Sequence, residues 1–190
     1  TPNKARKRAA AQKSPQVPGT GSPKIPILLV QYTDKKMSNT KEDFETIYSK
    51  SAKSAKQYFV DQSRGKFSPQ FDLYGIYTLS SNRATYGGND YNGNDKGVAK
   101  MVGEACQLAE KEGINWKDYD NDGDGEMDNC YIIYAGYSEA STANGDDIWP
   151  HSWYLDDNTT IDGVQIHDYS CSAELVGMPG APVVPSMDGI

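Results

Sequence analysis

Two short apolar runs limit what this chain can become. Ile27 to Val30, inside Lys24-Ile-Pro-Ile-Leu-Leu-Val-Gln-Tyr-Thr-Asp34, is continuous rather than alternating, and so is Cys130-Tyr-Ile-Ile-Tyr-Ala135. An alternating strand can leave one face in water, whereas a continuous run is read as a strand buried on both faces. Helices supply such cover, and the clearest one lies between the two runs. Val98, Met101, Val102, Ala105, Cys106 and Ala109 recur at i, i+3, i+4, i+7, i+8 and i+11, an apolar stripe that stops before Gly113. Strands alternate with helices, so the expected class is α/β (or α+β), a mixed twisted sheet with packed helices.

The shorter signals fill in around this frame. Asn39 and Glu42 have capping-box spacing, and Phe44, Ile47 and Tyr48 then share one face of a short helix. A second helix is expected over Ser54 to Gln62, packing Ala55, Tyr58 and Phe59 and ending near Arg64-Gly65. From Lys66 the period becomes two, which places Phe67, Phe71, Leu73, Tyr77 and Leu79 on one strand face and Tyr74 and Ile76 on the other. Residues 80–95 are rich in Gly and Asn and read as a long surface loop, with Tyr86 and Tyr91 as candidate ligand contacts. Asp162-Gly163 suits the two-residue type I′ turn of a hairpin over Thr159 to Ile166.

Charge divides the chain. The 190 residues carry a formal net charge of −7, yet Lys4, Arg6, Lys7, Arg8, Lys13 and Lys24 stand in the first 25 with no acid. Residues 1–24 are therefore expected to be a basic, flexible tail or linker, and residues 25–190 one acidic domain. An acidic body argues against general nucleic-acid binding, which needs Lys and Arg to neutralise phosphates. No stretch approaches the roughly 18 consecutive apolar residues of a transmembrane helix.

The strongest chemical signal is Asp120-Asn-Asp122-Gly-Asp124-Gly-Glu126-Met-Asp128. Calcium takes six to eight hard oxygens, and carboxylates at alternate loop positions can turn inward together where glycine allows a sharp bend. The candidate ligands are Asp120, Asp122, Asp124, the backbone carbonyl of Glu126, and Asp128 directly or through water. The match to an EF-hand loop ends there, because the twelfth position is Tyr131 and lies inside a strand pattern. A calcium loop in a helix–loop–strand setting, tied to a core strand, suits a structural staple better than a sensor.

Five phrases in order now point to a family: KIPILLVQYTD (24–34), SAKQYFVDQSRGKF (54–67), WKDYDNDGDGEMD (116–128), YAGYSE (134–139) and IWPHSW (148–153). Together they resemble the M6 family of secreted bacterial metallopeptidases, the immune-inhibitor-A type, over residues 24–190. The resemblance implies a zincin-like domain, zinc-dependent endopeptidase activity on proteins or peptides, and a secreted or cell-surface location. It also implies that the IWPHSW segment borders the substrate cleft, where a sheet edge can pair with an extended peptide. Trp149, His151 and Glu139 are the candidate cleft residues.

The sequence departs from that family at its zinc motif. H-E-x-x-H places two metal-binding histidines one helical turn apart, and no such motif occurs here; the two histidines, His151 and His167, are 16 positions apart. Pro185-Ser-Met-Asp-Gly-Ile190 resembles the approach to the active-site helix. The chain is therefore expected to be the N-terminal part of a longer protein, cut short by design or by proteolysis. It would lack zinc ligands, be inactive alone and depend on the remainder of its own polypeptide. His167-Asp168 lacks a G-x-S-x-G partner for a triad. Cys106 and Cys130 read as core residues, and with Cys171 they lack zinc-knuckle spacing, although one disulfide stays open. The alternative is a non-catalytic extracellular calcium-binding interaction domain, a degenerate peptidase homologue.

Overall fold

The computed structural model describes residues 17–177. The expectations for residues 1–16 of the basic tail and for the segment 185–190 lie outside the described residues.

Ile27 to Val30 fall in strand β1 (Lys24–Gln31) and are all fully buried. Strand β2 (Gln70–Thr78) pairs with β1 in parallel, and β4 (Cys130–Tyr134) pairs in parallel on its other side. Beyond β4 lies β6 (Val164–Ala173), also parallel, and the edge strand β5 (His151–Ile161) returns antiparallel against β6. The short β3 (Glu126–Met127) keeps the same register offset against β6 as β4 does, Glu126↔Gln165 and Cys130↔Tyr169, so the two form one interrupted line. The sheet is thus mixed, as the class assignment requires. The β5–β6 hairpin turns on Asp162 and Gly163 with φ of 51° and 78°, the left-handed pair of a type I′ turn.

Each face of the sheet has its own cover. Leu28, Val30 and Ile132 meet the stripe of helix α4 (Val98–Glu110), whose six predicted residues are all buried. On the opposite face Ile27, Leu29, Tyr131 and Ile133 meet Phe44 and Tyr48. These come from α1 (Lys41–Glu45) and the π-helical turn Thr46–Lys50 that continues it. Helix α2 (Ala55–Gln62) starts at Ser54, whose side chain caps Gln57, as expected from its sequence.

Several local expectations are corrected. The capping box is Thr40 with Asp43, one residue later than Asn39 with Glu42. The Thr40 hydroxyl accepts from Asp43, whose carboxylate returns to the Thr40 amide at 2.8 Å, while Asn39 donates instead to Glu174. Tyr58 is exposed, lying edge-on to Phe59 rather than in the core.

The single apolar face read along β2 is divided. Its register against β1 slips between Leu29 and Val30, so Phe71 and Leu73 join the α1 side, whereas Tyr77 and Leu79 join the α4 side. One inserted residue reverses the alternation of every side chain after it. The slip occurs at Gly75, where φ is +98° and a Cβ would stand 2.5 Å from the Leu29 carbonyl oxygen.

Residues 80–95 are not all loop. Asn82 caps a short helix α3 (Arg83–Gly87), and Tyr86 is fully buried, stacked on Tyr32; Tyr91 is exposed. The three cysteines are free, with Cys106 and Cys130 Sγ atoms 3.7 Å apart in the core. Pairing also begins before residue 25, since Gly21 bridges Phe67 and Lys24 opens β1.

Candidate metal centre and substrate groove

The acidic loop follows a 3-10 turn (Trp116–Tyr119) whose two aromatic rings are buried beneath it. Asp120 turns inward and organises the bend: Oδ1 accepts from Gly123 N at 2.8 Å and Asp124 N at 3.0 Å, and Oδ2 accepts from Gly125 N at 3.0 Å. Asp124 Oδ1 accepts from Glu126 N at 2.9 Å. Gly125, at φ +91°, makes a turn that a side chain would resist. One carboxylate oxygen from each of Asp120, Asp122 and Asp124 lies within 4.8 Å of the other two.

Asp128 completes the picture from below. It is 3% exposed; Oδ2 accepts from Asn121 Nδ2 at 2.7 Å, while Oδ1 is buried without a partner. Burial, with added repulsion from Asp122 and Asp120, pushes its carboxyl up to about 6. A buried carboxylate oxygen with no donor is costly, and a cation is one group that would relieve it. An all-oxygen, multiply charged donor set fits calcium rather than a soft metal. Glu126 opens β3.

The loop is tied to two strands of the sheet. Lys24 N donates to Asn121 Oδ1 at 2.9 Å, Asn121 Nδ2 returns to Lys24 O at 3.1 Å, and Gln165 N donates to Gly125 O at 3.0 Å. The start of β1 and the start of β6 therefore converge on it.

A groove of about 1370 Å³ runs between α4 and the edge strand β5, with Trp149, His151, Trp153 and Tyr169 on one wall and Lys100 and Glu104 on the other. His151 Nδ1 stands 2.6 Å from the Trp149 carbonyl, so it carries the proton, and Nε2 accepts from the Tyr169 hydroxyl at 2.9 Å. Trp149 and Trp153 are exposed at 55% and 59%, unusual for rings of that size. Of the predicted cleft residues, the structure brings Trp149 and His151 together on the groove. Glu139 opens helix α5 (Glu139–Thr142) behind it and accepts from Asn89 Nδ2 at 2.9 Å. His167 pairs with its neighbour Asp168 at 2.9 Å and stacks on Tyr154.

A sequence model described as the immune inhibitor A peptidase M6 catalytic domain matches residues 30–176, from β1 past the end of β6. The chain belongs to the M6 peptidase family. Among similar proteins, the pre-pro-metalloprotease PrtV of Vibrio cholerae serotype O1 is 30% identical over 130 residues, covering 59% of this chain. Immune inhibitor A of Bacillus thuringiensis subsp. alesti is 25% identical over 173 residues, covering 68%. The chain spans 14% and 25% of the lengths of these relatives. The M6 match includes the acidic loop, the groove and the edge strand alike. No helix among the described residues is long and apolar enough to cross a membrane.

Sequence reasoning missed Asp95, whose Oδ2 accepts from the Trp149 amide at 3.0 Å and so fixes the entry to β5. The signal was the Asn- and Asp-rich composition of residues 89–95. Tyr169, which orients His151, gave no signal beyond its strand position.

Proposed function

We propose that this chain forms the sheet, substrate groove and calcium staple of a secreted metal-dependent endopeptidase acting on proteins or peptides. The observation that carries the reading is β5: an M6-family edge strand that pairs among the described residues with β6 alone, beside an aromatic-walled groove. An extended peptide laid along its free edge would gain backbone hydrogen bonds, with Trp149 and Trp153 as flanking apolar contacts and His151 within reach of the bound chain. The acidic loop holds Ca²⁺ through Asp120, Asp122, Asp124, the Glu126 carbonyl and Asp128.

Zinc, implied by the metallopeptidase family, does not fit the residues described. Each histidine is engaged in its own local pair, and among the described residues Asp120, Asp122 and Asp124 form the cluster of ligand-type side chains close enough to share one ion. Hydrolysis itself is therefore assigned to no residue of this chain. The test is casein cleavage by the full-length protein, with and without a zinc chelator. Chelator-sensitive cleavage that weakens in Trp149→Ala and Trp153→Ala supports the reading. Calcium binding without cleavage would favour a non-catalytic extracellular domain instead.

A further inference from the structure

Beside the groove, whose lining Asp95 joins, stands a second polar cluster that the acidic loop does not account for. Asn89 and Asp95 face each other across an isolated antiparallel bridge, which sets their side chains side by side. Asn89 Oδ1 and Asp95 Oδ1 are both buried without a partner, and the Asp95 side chain is 6% exposed. Asn89 also meets Glu139. Its Oε1 accepts from Asn89 Nδ2 at 2.9 Å, and burial, with a smaller contribution from the Glu139 charge, disfavours ionisation of Asp95. The Tyr32 hydroxyl, also buried and unpartnered, feels the charge of Asp95 as well.

Asn89 thus links the carboxylates of Asp95 and Glu139, and among the described residues no cationic side chain is bonded to these groups. The His151 ring stands near, with Nδ1 4.0 Å from Asp95 Oδ2, and is already donating to the Trp149 carbonyl. A proton shared between Asp95 Oδ1 and Asn89 Oδ1 would satisfy these two oxygens but leave the charge of Glu139 uncompensated, whereas a cation would serve all three groups. Placed among these groups, a hard divalent cation would accept from Asn89 Oδ1, Asp95 Oδ1 and Glu139, and offset both negative charges. We propose that Asn89, Asp95 and Glu139 form a second calcium site, separate from the acidic loop. It would join the bridge segment 89–95 to α5 and, through Asp95 Oδ2 and Trp149 N, to the entry of the edge strand. Its effect is to hold the groove wall in place.

Equilibrium dialysis of the full chain against calcium, read by metal analysis, tests this independently of the loop site. The double variant Asp122→Ala with Asp124→Ala is expected to keep one equivalent of calcium, and adding Asp95→Asn to remove it. Asp95→Asn alone should lose one equivalent while keeping the loop's. Should Asp95→Asn fail to fold by near-ultraviolet circular dichroism, Glu139→Gln, at a half-buried position, serves in its place with the same expected loss. A double loop variant that binds no calcium, or Asp95→Asn and Glu139→Gln chains that keep the wild-type stoichiometry, overturns the second site.

Discussion

Single oxygen atoms mark the candidate sites more sharply than whole motifs do. Asp128 Oδ1 is the clearest, a buried acceptor without a donor in the same loop as the clustered Asp120, Asp122 and Asp124. Without a cation its charge is a liability; in the proposed calcium site it would be a ligand. Asp128→Asn is therefore expected to change sign with conditions: a melting temperature equal to or above wild type in chelator, and below it in excess calcium. A uniform loss in both would show that Asp128 serves packing alone. The thiols make a contrasting case. Burial pushes Cys171 up to about 12, and Cys106 is raised by its contact with Cys130 and by burial. Since the thiolate is the reactive form, iodoacetamide at pH 8 should leave the cysteines unmodified in the native chain and label them in urea. Rapid native labelling of Cys171 would show that β6 opens more readily than its packing implies.

At the level of elements, legibility followed from how local the deciding interaction is. The stripe of α4, the core runs of β1 and β4 and the Asp162-Gly163 turn are set by near neighbours, and all stand where the sequence puts them. The acidic loop was readable because its candidate ligands are contiguous. The Asn89–Asp95–Glu139 cluster was not, since its members stand up to 50 positions apart and are brought together only by the fold. The face exchange in β2 was missed for a similar reason: alternation is local, but the slip at Gly75 is dictated by the backbone of β1. Gly75→Ala sets a Cβ against the Leu29 carbonyl in a left-handed conformation, so a loss of about 2 kcal/mol or more in urea unfolding is expected. The α1 cap offers a milder test. Thr40→Ala should cost about 1 kcal/mol, whereas Asn39→Ala should act through its bond to Glu174 instead. Equal insensitivity at Thr40 would return the cap to Asn39.

For the whole molecule, the decisive question is why a loop of exposed acids should matter to a sheet buried on both faces. Asn121 bonds the first residue of β1, Gly125 receives the amide of Gln165 in β6, and Trp116 and Tyr119 lie in the α4-side core. Three aspartates repelling one another would push apart the segments that hold β1 to the β3–β4 line, and a bound cation reverses that force. A ligand present at 100 times its dissociation constant stabilises the folded state by about 2.7 kcal/mol. In a chain of 190 residues this corresponds to a rise in melting temperature of roughly 5–11 °C. Asp122→Ala with Asp124→Ala should remove most of that rise while raising the calcium-free melting temperature slightly, because two like charges are gone. Differential scanning calorimetry of both chains, with calcium and with chelator, makes the comparison. A double variant that keeps the full wild-type response would separate the loop from the stability of the sheet, and would leave its four aspartates without a structural reason.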